Sequence, residues 1–175
     1  ENILRVYHHI TVRVTTSGRA GENQIQRTAL PTTIDNEFHT VYQRHFINFD
    51  NLERYDPLDE QGSLLIIAHD SFYDTMLPLV EWKLQKGIPT EMVNLSEVGS
   101  TGSQLLSYVQ NYYDNQGLTF LLLVGDAEDV PYLRAAGGAS DPSLSLLAGG
   151  DSYPDIFVGR FSGEKPDQIA TMVER

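Results

Sequence analysis

Two groups of acidic residues carry the first chemical signal in this chain. Gly125-Asp126 ends the apolar run Leu121-Leu122-Leu123-Val124, and Asp151-Ser152-Tyr153-Pro154-Asp155 stands just ahead of Ile156-Phe157-Val158-Gly159-Arg160. Carboxylates at i and i+4 with a carbonyl between them, joined by a third carboxylate from a strand end, form the all-oxygen donor set that a hard cation such as calcium prefers. Gly149-Gly150-Asp151-Ser152 and Tyr153-Pro154-Asp155 are also rich in loop formers, so an ordinary turn accounts for the same residues.

A second candidate is His69-Asp70, which follows the apolar run Leu64-Leu65-Ile66-Ile67-Ala68. The carboxyl ends of strands are where open α/β sheets place functional groups. No nucleophile stands at a defined spacing from this pair, and the favoured reading is a loop histidine beside a helix cap. His8, His9, His39 and His45 fall on an upstream strand and helix and read as structural. Trp82, beside Val80 and Leu84 on a helix, reads as a core aromatic rather than a ligand contact. The chain has no Cys, which excludes disulfides, thiolate metal sites and a cysteine nucleophile within it. It also lacks a Gly-x-x-x-x-Gly-Lys phosphate loop, a Gly-x-Gly-x-x-Gly turn, a His-Glu-x-x-His pair and a Gly-x-Ser-x-Gly elbow.

The elements that would position these residues are legible as alternating patterns. Leu64–Ala68 reads as a strand covered on both faces. The segment from Tyr73 to Lys86, with Met76, Leu77, Val80 and Leu84 on one side, reads as a helix that stops at Gly87. A strand over Glu91–Leu95, a helix over Gln104–Asn115 and a strand over Thr119–Val124 follow. After a Gly- and Ser-rich loop from Ala127 to Gly150 come a fourth strand, Ile156–Arg160, and a helix from Pro166 to Arg175. Strands alternating with helices imply a layered α/β sandwich with a mostly parallel, four-stranded sheet. One tension is built into this reading. Asp126 ends the third strand and Asp155 begins the fourth, so a shared cation requires the intervening loop to fold back or the fourth strand to run antiparallel.

Upstream, Leu4, Val6, His8, Ile10, Val12 and Val14 share one face at period two, the pattern of a strand with one wet face. Pro31 to Asn36 offers breaker and cap residues ahead of a helix near residues 36–47. Nothing before residue 55 supplies enough partners to bury a sheet, and residues 1–54 read as the tail of an upstream domain. With 24 acidic against 12 basic residues the formal charge is −12, which repels a nucleic-acid backbone. The longest apolar stretch, Leu118 to Gly125, is far short of the roughly 20 residues that cross a bilayer.

From Arg54 to Arg175 the chain resembles the amino-terminal half of the catalytic domain in the gingipain family of cysteine peptidases, which also includes the sortase of type IX secretion. The residues that carry the resemblance are Leu64–Ile67, Val80-Glu81-Trp82-Lys83-Leu84-Gln85-Lys86-Gly87-Ile88-Pro89-Thr90-Glu91, Leu121–Asp126 with Val130-Pro131, and Asp151 through Ser162. The resemblance implies a three-layer caspase-like sandwich over residues 55–175. It also implies that residues 1–54, with their strand and helix, are the carboxyl-terminal part of a β-rich propeptide-like domain. Arg54-Tyr55 stands at the implied junction; an Arg there suits cleavage by an Arg-specific member, and any exposed linker carries such residues.

The family's catalytic His and Cys lie beyond Arg175, which leaves no catalytic residue in this chain and makes it inactive alone. The resemblance further implies a structural calcium held by the Asp126 carboxylate, the Ala148 carbonyl, the Asp151 carboxylate, the Tyr153 carbonyl and the Asp155 carboxylate. Relatives often carry Glu at the last of these; Asp is one methylene shorter, which turns bidentate capture towards monodentate. The implied partners are the second catalytic subdomain of the same protein and a protein or peptide substrate, and the implied location is secreted or on the bacterial surface. A different class fits the same alternation of elements: a non-catalytic flavodoxin-like or receiver-like module that binds a partner or small anion at strand ends. A downstream Cys and His separate the two.

Overall fold

The protein is seen in a computed structural model that describes residues 8–13, 15, 18–19, 33–46, 49, 56–58, 62–135, 137–150 and 152–175. Of the period-two segment, Leu4, Val6 and Val14 lie outside the described residues; residues 8–13 form no strand, and Ile10 and Val12 are exposed. Period two buries one face only against neighbouring strands, and none pairs with this segment among the described residues. The first described elements are a short strand β1 (Thr33–Asp35) and helix α1 (Asn36–His45). Strand β2 (Asp56–Leu58) pairs with β1 in parallel, Thr33 opposite Asp56.

The central sheet begins with β3 (Leu64–Ala68) and is followed by a 3-10 turn over Asp70–Phe72 and helix α2 (Tyr73–Gln85). Strand β4 (Thr90–Asn94) leads into the single-turn helix α3 (Leu95–Val98) and then α4 (Gly102–Gln116). Thr101 caps α4 through its side chain, and Gln104 returns the bond, a reciprocal box that satisfies otherwise orphaned donors. Strand β5 (Phe120–Val124) follows. The expected long loop after it contains a small hairpin, β6 (Leu133–Ala135) and β7 (Gly138–Ser140), and a 3-10 turn over Pro142–Ser145. Strand β8 (Phe157–Phe161) and helix α5 (Pro166–Val173) complete the described chain.

The sheet order is β4-β3-β5-β8, with all neighbours parallel. Its two faces take alternate residues. Leu65, Ile67, Leu121 and Leu123 pack against Leu105, Val109 and Tyr112 of α4, while Leu64, Ile66, Ala68 and Val124 pack against Met76 of α2 and Ile169 of α5. Cover on both faces is why β3 and β5 read as unbroken apolar runs rather than as alternations. Of the four helix residues that spacing puts on one side, Leu77 and Leu84 are exposed. Trp82 is 48% exposed and is likewise no core residue; the ammonium groups of Lys83 and Lys86 lie 4.7 and 4.6 Å from its ring centre. The buried stripe of α2 runs instead through Met76, Leu79 and Val80.

Candidate functional site

The chain leaves β3 towards β4 on one side and returns to β5 on the other, so the strand order reverses between β3 and β5. Ligands in open α/β sheets bind at such a switch point. Here the crevice is lined by His69 and Asp70 after β3 and by Gly125 and Asp126 after β5. The His69 amide donates to the Val124 carbonyl at 2.9 Å, which extends the β3–β5 pairing by one step. Gly125 has φ +131°, and a Cβ there would stand 3.0 Å from Asp129 Cβ and 3.4 Å from His69 Cβ. The missing side chain therefore lets the two loops close on each other.

His69 Nδ1 lies 2.8 Å from Ser71 Oγ and takes the Ser71 amide at 3.4 Å, the local pattern of a residue capping the 3-10 turn. This is the loop-histidine arrangement expected from the sequence. The Asp70 carboxylate accepts from the Ser96 amide at 3.2 Å, and that bond holds its pKa below the ordinary carboxylate value. Asp70 thus ties the ends of β3 and β4 together.

The residue that organises this edge is one that spacing did not single out. Arg160 of β8 makes a bidentate pair with Asp141, Nε to Oδ2 at 2.7 Å and Nη2 to Oδ1 at 2.8 Å. Its remaining nitrogen donates to the carbonyls of Gly125, Val130 and Asp126 at 3.0, 3.1 and 3.3 Å. One guanidinium thus fixes the turn after β5 and the 3-10 turn beside β8, a geometry that the planar fork of Arg suits and an ammonium does not. The available signal was a lone Arg inside an apolar strand, a charge that burial tolerates only when paired.

The five expected calcium ligands are not brought together by the described residues. The parallel register, Phe120 opposite Phe157 and Val124 opposite Phe161, puts Asp126 past one end of the pair and Asp155 before the other. Five paired residues span about 13 Å, whereas oxygens on one calcium lie within about 5 Å of each other. The register therefore holds Asp126 and Asp155 too far apart to share an ion, and among the described residues neither the antiparallel strand nor the fold-back that would join them is present. Asp155 Oδ2 instead accepts from the amides of Leu147 and Ala148 at 2.9 and 2.8 Å, closing the 147–155 loop. Its own amide donates to Ser145 O at 2.8 Å. Tyr153 is exposed in that loop, and Asp151 lies outside the described residues. Among the described residues no three His, Asp or Glu side chains gather at metal-binding distance.

A parallel sheet in three layers with a tied carboxyl edge defines the class as an α/β domain of the caspase-like kind. The family model of peptidase family C25 matches residues 57–175, and the chain belongs to that family. Gingipain R2 of Porphyromonas gingivalis is 31% identical over 178 residues, covering 98% of this chain and 24% of the relative. Lys-gingipain of the same species is 25% identical over 183 residues, covering 99% of this chain and 10% of the relative. Among solved structures, the crystal structure of the Arg-specific cysteine proteinase gingipain R superposes with a TM-score of 0.63 at 31% identity, over 69% of this chain and 29% of that one. A complex of the pro- and mature domains of RgpB from Porphyromonas gingivalis gives 0.62 at 31% identity, over 65% and 28%. The chain spans about a quarter or less of the curated relatives it matches. The family match favours the peptidase class over the receiver-like module weighed from sequence.

Proposed function

We propose that the chain is the amino-terminal part of the catalytic domain of a gingipain-like cysteine endopeptidase or sortase, preceded by the end of its propeptide, and that the parent protein acts outside the cell or on its surface. The observation that carries this reading is the family match over residues 57–175 in a sequence without Cys. Hydrolysis and transpeptidation by such enzymes share one opening step, attack of a thiolate on a peptide carbonyl with a His carrying the proton. Neither group belongs to this segment. Its part in the reaction is mechanical: a sheet buried on both faces, with its carboxyl edge tied by Arg160 and Asp70, gives the second half of the domain a fixed surface to pack on.

We assign calcium to the 147–155 loop alone. That loop supplies the Asp151 and Asp155 carboxylates and the carbonyls of Ala148 and Tyr153, the oxygen donors that calcium takes, and Asp126 is omitted. Asp155 has one carboxylate oxygen engaged by two amides.

The experiment for the peptidase reading is to express the parent protein and this 175-residue chain in parallel and assay both on peptides ending in Arg, Lys or other residues. The parent is expected to cleave or transfer them with sensitivity to thiol alkylation, and the 175-residue chain to do neither. Cleavage by the purified short chain, or a parent without thiol-dependent activity, contradicts the proposal.

A further inference from the structure

We infer that residues 33–46 are a built-in brace of the sheet's amino edge, so that the folding unit includes them and does not begin at the Arg54-Tyr55 junction. Three contacts carry this, and they come from different parts of the segment. First, Asp35 occupies the N-cap position of α1, where its side chain would ordinarily bond the helix's own amides, yet it makes no cap bond. Its carboxylate accepts instead from Thr119 Oγ at 2.8 Å. Thr119 is 3% exposed at the entrance to β5, and a hydroxyl that deep requires a partner. A Cβ at Gly62 would collide with the Thr119 side chain, so the glycine leaves the room in which this hydroxyl sits.

Second, Phe38 on the first turn of α1 is buried and stacks on Phe157, with ring centres 4.2 Å apart and planes 21° apart. Phe157 stacks in turn on Phe120 at 5.5 Å and 23°. The three rings cover the first residues of β8 and β5. Third, β1 finds its only described strand partner in β2, on the other side of the expected junction. All three contacts lie at or before the amino ends of the strands. His69, Gly125 and Asp126 lie at the opposite edge, so the brace supports the sheet without covering the edge where such folds place chemistry. This inference does not depend on the peptidase reading.

The test is unfolding of the full 175-residue chain followed by the fluorescence of Trp82, the single Trp, which stands on α2 outside the brace. If the brace belongs to the folding unit, Asp35→Ala and Phe38→Ala each lower the Trp82 midpoint by about 3 °C or more. Thr119→Val lowers it as well, and Asp35→Ala with Thr119→Val falls no further than the worse of the two single variants, because both remove one bond. Amide exchange at Phe120 and Phe157 accelerates about tenfold or more in the same variants, as expected of a locally destabilised edge. Should Asp35→Ala not fold, recovery of a folded chain by Asp35→Asn, which keeps an acceptor, supports the bond. Failure of both, with Phe38→Ala unchanged, contradicts the brace. Midpoints and exchange rates that stay at their wild-type values in Asp35→Ala and Phe38→Ala overturn the inference and make residues 33–46 a passenger.

Discussion

Arg160 concentrates more of the carboxyl edge than any other described side chain. Its side chain is 10% exposed and that of Asp141 26%, so removing one partner strands the other charge in a poorly solvated place. Arg160→Met is expected to cost about 3–5 kcal/mol in urea unfolding. Arg160→Lys should recover little of it, because one ammonium cannot make a bidentate pair and reach three carbonyls at once. A cost under about 0.5 kcal/mol, the range of ordinary surface changes, contradicts the role given to Arg160.

Tyr112 and Asp70 set opposite ends of the pH profile. Tyr112 donates to Glu91 Oε2 at 3.0 Å, and burial together with that acidic partner pushes its pKa up to about 12. A raised folded-state pKa means that the contribution is fully present below the unfolded value near 10 and is lost as pH rises through about 12. The lowered pKa of Asp70 works the other way: its contribution is present above the ordinary carboxylate value and disappears as pH falls through the lowered one. Tyr112→Phe should therefore flatten the alkaline limb of stability against pH, and Asp70→Asn the acid limb. Unchanged limbs in both variants contradict these assignments.

At the scale of elements, the sheet and its main helices were legible because their signals are local. Leu64–Ala68 is a strand as read, Phe120–Val124 differs by one residue from its expected bounds, and α4 extends its expected range by a residue or two at each end. The hairpin β6–β7 went unread because three-residue strands in a Gly- and Ser-rich stretch carry no period to detect. Trp82, Leu77 and Leu84 were misread because a helix that is apolar around much of its circumference does not announce which stripe is buried. The cation site depended on direction. Composition places Asp126 and Asp155 near a turn each, but only the parallel register of β5 and β8 separates the two turns.

That register yields a prediction for the 147–155 loop. Millimolar calcium should raise the thermal midpoint of the wild type, since a ligand that binds only the folded state stabilises it by mass action. Asp151→Asn should remove the rise, Asp126→Asn should leave it intact, and magnesium should substitute poorly because it demands a tighter octahedral shell. A flat response in the wild type removes the ion from the loop. A rise that Asp126→Asn abolishes contradicts the register argument.

For the whole molecule, a four-stranded parallel sheet stands between two helical layers, with the short β1–β2 pair before it, the β6–β7 hairpin after β5, and a carboxyl edge tied by Arg160. No described helix is long and apolar enough to cross a membrane. The chain carries a family's framework and none of its Cys chemistry, which is coherent for a segment covering 24% of gingipain R2. The most direct measurement is to treat the parent protein with a peptidyl chloromethyl ketone ending in Arg or Lys, digest it, and locate the modified residue by mass spectrometry. The account predicts a thioether on a Cys outside residues 1–175, with loss of peptidase activity in proportion to labelling. Activity-linked modification of His69, Ser71 or any other residue within this chain, or a parent protein that is active yet unlabelled, would contradict it.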